Sequence, residues 1–450
     1  MSLKKLTAII VLFIIIILAV FSFFYLGNIN KEVPIDPSDP NFPSGGESGN
    51  SGIPGNVDPE KTNILLLPGQ ILDSRGEVVK KEEARLRQIT KEPVAGVYID
   101  QNKRTITEGD VIETDAGDEI EMVDVEIDEY LTYYIQKKNG HVLIDSDKEN
   151  DQLKLLNNTI PQTELGVVRE KFALLQYLDT TKEIIRSFGG SFVDEIVEKT
   201  VINDDGEEVI EESTETVFRS YILPNNVLFP TLSPDNKQLA FITNDGNISS
   251  IVVADILNLE SGLIVYETPF LDIFPYWGND GSLYISSKAD SRSIGFLKKI
   301  NLNTGGDSTI ISGILGLTSL VNYDGNIIFV SNSSSETALY NKTTGEIRDT
   351  GIYTLADKCV WSKKETEVLY CMGQKVATGG QFPQDWYQGK VDFSDILWKI
   401  DYNTEDITEI YTFPGIERTF DGIKLKLSPD ETRLLFVDKN DSTPWVLRLD

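Results

Sequence analysis

The chain has 450 residues, 71 acidic against 41 basic, for a formal charge of −30, with two cysteines and a single histidine. Such a negative surface repels phosphate backbones and anionic headgroups, which excludes nucleic acid as a partner. One histidine rules out an H-E-x-x-H metal site and removes most imidazole-based hydrolytic chemistry, and no phosphate-loop or dinucleotide fingerprint occurs.

Residues 1–5 carry Lys4 and Lys5, and Leu6 to Leu26 form an uncharged run of Ile, Leu, Val and Phe. About twenty such residues match a ~30 Å hydrocarbon core. No small-residue cleavage pattern follows Phe23, Phe24 and Tyr25, so the run reads as an uncleaved signal anchor. The basic flank keeps residues 1–5 cytoplasmic and sends the rest of this single-pass chain to an extracytoplasmic space. Residues 27–62 are rich in Pro, Gly and Ser and poor in apolar side chains, which predicts a disordered, extended tether. Residues 63–92 form a connecting segment of mixed character.

Beyond Pro93 short β-rich runs alternate with Gly, Asn and Asp turns, a pattern of all-β architecture. Leu232-Ser233-Pro234-Asp235 before Leu239 to Phe241 and Leu427-Ser428-Pro429-Asp430 before Leu434 to Phe436 are close copies. Each reads as strand, tight turn, strand, with proline fixing φ and aspartate accepting backbone hydrogen bonds. Weaker copies surround Asp280, Asp324 and Trp361. Asp235, Asp280 and Asp324 are 45 and 44 residues apart, the length of a four-stranded propeller blade.

These corners resemble the TolB-type and WD-repeat-like propeller repeats, whose inner hairpin carries the same Ser-Pro-Asp turn. As a whole the chain also looks like uncharacterised membrane-anchored propeller proteins of candidate-phyla bacteria. The resemblance implies a β-propeller over residues 93–450 and is silent on ligand. Blade starts near Val94, Gly166, Phe229, Phe274, Gly316, Lys358 and Phe420 predict seven blades, with insertions in the second and sixth. The last unit has only three strands of its own, so a strand at residues 85–90 is expected to close the ring.

Cys359 and Cys371 are centred on residue 365, the midpoint of a predicted hairpin, so they face each other across two strands. They are either a disulfide or two buried thiols. Two insertions offer recognition elements. One is an acidic hairpin from Glu195 to Glu215 around Asp204-Asp205-Gly206, where a cation among Asp204, Asp205 and Glu207 competes with a plain solvated turn. The other carries Phe382, Asp385, Trp386 and Tyr387, either a patch that binds a partner or aromatics tucked beneath a neighbouring blade. No catalytic, cofactor or metal residue is assigned. The leading expectation is a non-enzymatic binding or scaffold module for a protein or glycan of the cell envelope. The competing one is an envelope hydrolase using two carboxylates in the propeller channel.

Overall fold

Both Ser-Pro-Asp corners build the same turn. Ser233 Oγ lies 2.6 Å from Asp235 Oδ1 and accepts the Gln238 N–H at 2.9 Å; Ser428 repeats this with Asp430 and Arg433 at 2.6 and 3.0 Å. The fourth residue of each corner, Asn236 and Glu431, has a left-handed backbone at φ 56° and 59°. In the next-but-one blade corner Asn322 Oδ1 replaces the serine hydroxyl, accepting the Asn326 and Ile327 N–H groups at 3.0 Å each.

The computed structural model describes residues 84–450 except 115–116, 149–152, 157–159, 161, 203–207, 414–417 and 450, together with a two-stranded pair, Gln70–Leu72 with Val78–Lys80. The expected anchor (6–26), linker (27–62) and Asp204-Asp205-Gly206 turn lie outside the described residues. Among the described residues no helix is long and apolar enough to cross a membrane.

Seven four-stranded antiparallel sheets follow one another along the chain. Their first strands are Val94–Thr114, Thr163–Arg169, Leu228–Leu232, Ile273–Trp277, Thr318–Val321, Cys359–Trp361 and Gly422–Leu427, each within three residues of the expected start. First strands touch between blades one and two, three and four, six and seven, and seven and one, which puts the first strands innermost around a shared axis. Backbone approaches backbone closely between blades one and two, where a Cβ on Gly96 would meet the Gly166 carbonyl oxygen at 2.2 Å.

What holds the ring is sheet-on-sheet burial. Phe172 and Leu174 of blade two pack on Leu239 and Phe241 of blade three, and Val94 and Tyr134 of blade one pack on Leu435 and Val446 of blade seven. Similar apolar seams lie between the other neighbouring pairs. Each large side chain buried this way contributes about 1.5–3 kcal/mol. Trp361 and Trp398 sit in the seam between blades five and six.

The seventh sheet takes its outer strand from the start of the propeller. Leu86–Gln88 pairs antiparallel with Thr443–Arg448, with Leu86 opposite Leu447 and Gln88 opposite Trp445. In blade two Glu195 pairs with Glu215 in a long ribbon, Ile184–Ile202 with Glu208–Ile222. A second long ribbon has no counterpart among the expected insertions: Val94–Thr114 pairs with Gly117–Gln136 in blade one. Its sequence alternates apolar and charged residues like any solvated hairpin, so periodicity shows strands there without showing how far they run.

Candidate functional site

The loop expected to carry a binding patch lies between the second and third strands of blade six, Val368–Gly373 and Ile396–Asp401. It contains one helical turn, Gln384–Tyr387. Asp385 fixes that turn: its carboxylate accepts the Gln381 N–H at 2.8 Å and pairs with Lys390 at 3.3 Å, and these contacts hold it below the usual carboxylate range. Phe382 and Trp386 point inward and pack with Phe393 and Leu355, leaving only 1 % and 3 % exposed. Of the four residues singled out from the sequence, Tyr387 is half exposed, its hydroxyl donating to Asp357 at 2.9 Å, and Asp385 is partly exposed.

Beneath the aromatics lies a sealed ion cluster. The Lys358 ammonium donates to Asp395 Oδ2 at 2.8 Å, to Asp421 Oδ1 and to the Gly422 carbonyl at 3.1 Å, and all three charged side chains are fully buried. Trp386 Nε1 donates to Asp421 Oδ2 at 2.8 Å, and the Gly422 N–H donates to Asp395 Oδ2 at 2.6 Å. Lys358 also sits 4.9 Å from the centre of the Phe393 ring and 5.6 Å from that of Trp386. The indole and phenyl rings therefore act as a cover that keeps water from a buried charge cluster.

Local chain geometry sets these positions. Lys358 ends the 3-10 turn Ala356–Lys358 that leads into the inner strand of blade six, Asp421 precedes the inner strand of blade seven, and Asp395 precedes Ile396–Asp401. Burial, opposed by Lys358 and reinforced by Asp421, pushes the Asp395 carboxyl up to about 7. Its second oxygen, Oδ1, is buried with no hydrogen-bond partner. Because the folded state binds this proton more tightly than the unfolded chain, the stabilisation it gives is fully present below about pH 4 and is lost as pH rises toward and through 7. The expected loss is on the order of 3 kcal/mol. Denaturant titrations at pH 5 and 8 should show this slope and Asp395→Asn should flatten it; an equal slope in the variant removes Asp395 as its source.

Cys359 and Cys371 are opposite each other in register, with Cα atoms 4.1 Å apart and their sulfurs bonded at 2.07 Å. The bond crosses the first hairpin of blade six, next in sequence to Lys358.

An open groove lies elsewhere on the propeller. Between the outer parts of blades four and five runs a groove of about 700 Å³, walled by Ile310, Ile314, Val330, Tyr340, Ile347 and Tyr353 and fringed by Asn332, Glu336 and Asp349. The hairpins that flank it carry register shifts, between Ile294–Ile300 and Asp307–Leu315 and between Glu336–Asn341 and Ile347–Tyr353. No sequence signal pointed to this groove, because its walls come from two blades and are brought together only by their packing.

Seven four-stranded sheets arranged in a ring make this a seven-bladed β-propeller protein, and the near-neutral carboxylate of Asp395 is sealed from solvent. No family model and no curated protein matches the chain. Among solved structures it is similar to TolB from Acinetobacter baumannii, with 12 % identity over 76 % of this chain and 79 % of that one and a TM-score of 0.38. It is also similar to an oligogalacturonate lyase from Vibrio parahaemolyticus, with 10 % identity over 78 % and 97 % of the two chains and a TM-score of 0.44.

Proposed function

We propose that the protein is a membrane-tethered, extracytoplasmic propeller that works as a non-enzymatic binding module and holds a protein partner of the cell envelope in the groove between blades four and five. The observation that carries this reading is the groove itself, an apolar recess with a polar fringe, which suits protein side chains better than sugar hydroxyls. Ile347 is 67 % exposed at its edge. Leu6 to Leu26 and the basic residues before it support the tether, and residues 27–62 give the propeller reach. The competing reading, a hydrolase using two carboxylates in the propeller channel, draws no support from Asp395 and Asp421, which share one ammonium in a fully buried cluster.

The test is a crosslinking capture from envelopes with the full-length chain, comparing wild type with Ile347→Glu. A charge at the lip of the groove is expected to cut capture of the specific partner by about tenfold or more, with melting unchanged because the side chain is mostly in water. Equal capture by both proteins would remove the groove from the function.

A further inference from the structure

The two Ser-Pro-Asp copies align Lys424 with Phe229, each three residues before the leucine of its corner. Both have a left-handed backbone, φ 55° and 51°, and both lie at a register shift in an innermost strand. A side chain exposed on an innermost strand looks into the channel. Phe229 is 40 % exposed and meets Phe274 of the next blade edge-on, ring centres 4.3 Å apart. Where blade three offers a ring, blade seven offers an ammonium.

Lys424 is not alone. Lys426 follows on the same side of the strand, since Leu425 and Leu427 pack into the seam with blade six. The ammonium of Lys424 donates to the Ala95 carbonyl of blade one. Arg169 closes the inner strand of blade two, near enough to Lys426 to act on its ammonium, its Nε donating to Asn236 Oδ1 at 2.9 Å and its Nη1 to the Val168 carbonyl at 2.8 Å. The guanidinium lies 4.7 Å from the centre of the Tyr98 ring, and Nη2 donates to no described group. No described carboxylate pairs with Lys424, Lys426 or Arg169, in a chain with 71 acidic residues, and Lys426 makes no hydrogen bond to a described residue.

Burial pushes both lysine ammonium groups down to about 8, assisted by Lys137 for Lys424 and by Arg169 and Lys424 for Lys426. Like charges held this close raise the free energy of the empty ring, and a left-handed non-glycine residue adds backbone strain. At Lys426 this cost serves no contact of the fold, because its ammonium bonds to no described residue and an apolar or neutral side chain would satisfy the same strand.

We propose that the central channel binds a multiply charged oxyanion, held by Lys424 and Lys426 of blade seven and the free edge of Arg169 of blade two. Two or more negative charges compensate the cations at once, and Arg169, already fixed on Tyr98 and Asn236, presents its Nη2 without further ordering. Phe229 and Phe274 give the opposite wall an apolar surface, which favours an anion carried on a larger body.

The test uses the full-length protein with citrate and inorganic pyrophosphate as probes, read by thermal melting and calorimetric titration against sodium chloride of matched ionic strength. At least one probe is expected to raise the melting temperature by several degrees at about a hundred times its dissociation constant. Citrate alone would assign a carboxylate ligand and pyrophosphate alone a phosphate. Lys426→Met and Arg169→Gln should lose the shift, and Lys426→Met should melt higher than wild type without probe. Lys399→Gln, which removes a surface lysine paired with Glu365 at 3.1 Å, should keep the shift. Should Lys426→Met fail to fold, Lys426→Gln and Lys424→Gln carry the same comparison. No shift beyond matched salt, or a full shift in both the Lys426 and Arg169 variants, overturns the proposal, whatever the groove binds.

Discussion

Lys358→Ala is expected to cost about 3–5 kcal/mol, a large fraction of a domain's net stability, because it strands two carboxylates in a dry interior. Asp395 and Asp421 both lose their cation, and nothing replaces it: Lys439 reaches only to 3.7 Å from Asp421 Oδ2, and its side chain is 18 % exposed. The damage should spread, since Trp386 and Phe393 are held over the cluster by hydrogen bonds to Asp421 at 2.8 and 3.3 Å. The loop from Met372 to Asp395 should then become protease-sensitive before the rest of the chain.

A second substitution set separates charge from packing. Lys358→Met with Asp395→Asn and Asp421→Asn removes all three charges while keeping acceptors for the Trp386 and Gly422 N–H groups. Guanidinium unfolding of this triple variant should recover most of the stability lost in Lys358→Ala. If Lys358→Ala unfolds at the wild-type midpoint, the cluster contributes nothing and the cover role of the aromatics falls with it.

The second large effect concerns ring closure. A chain beginning at Pro93 lacks the strand Leu86–Gln88, the buried Ile89, and the Arg85 side chain, which donates to the Arg448 and Ile410 carbonyls at 3.2 Å each. Buried Ile89 accounts for roughly 1.5–3 kcal/mol, partly buried Leu86 for about 1 kcal/mol, and each lost hydrogen bond for about 1 kcal/mol. The shortened chain should therefore melt more than about 10 °C below one beginning at Ala84. It should also associate, because Thr443–Arg448 becomes an unpaired edge. Equal melting curves and equal elution volumes for the two chains would show that the outer strand is dispensable.

What could be read from the sequence was whatever repeats locally. Ser233 and Ser428 make the same turn with partners two and five residues away, so the corner is written within one short segment. The blade count followed from the spacing of such corners, and the opposition of Cys359 and Cys371 from the symmetry of one hairpin. The ion cluster is different in kind. Lys358 is 37 residues from Asp395 and 63 from Asp421, and each is one ordinary charge among 112 until the ring brings three strand ends together. The same distance in sequence hid the purpose of Phe382 and Trp386: aromatic residues on a loop look alike whether they await a partner or roof a buried charge. In the channel, aligning Lys424 with Phe229 required only the repeat, but the bulge that turns both side chains toward the axis is a matter of register.

Mechanical load on this molecule has a defined path. Any pull transmitted along the chain from before Arg85 meets the propeller first at Arg85, bonded to Arg448 and Ile410, and then at three residue pairs, Leu86 with Leu447, Arg87 with Val446 and Gln88 with Trp445. A tug from that side is therefore felt at the clasp of the ring and at the two blades beside it, through Ile410 and Asp145, and tension and opening become one event.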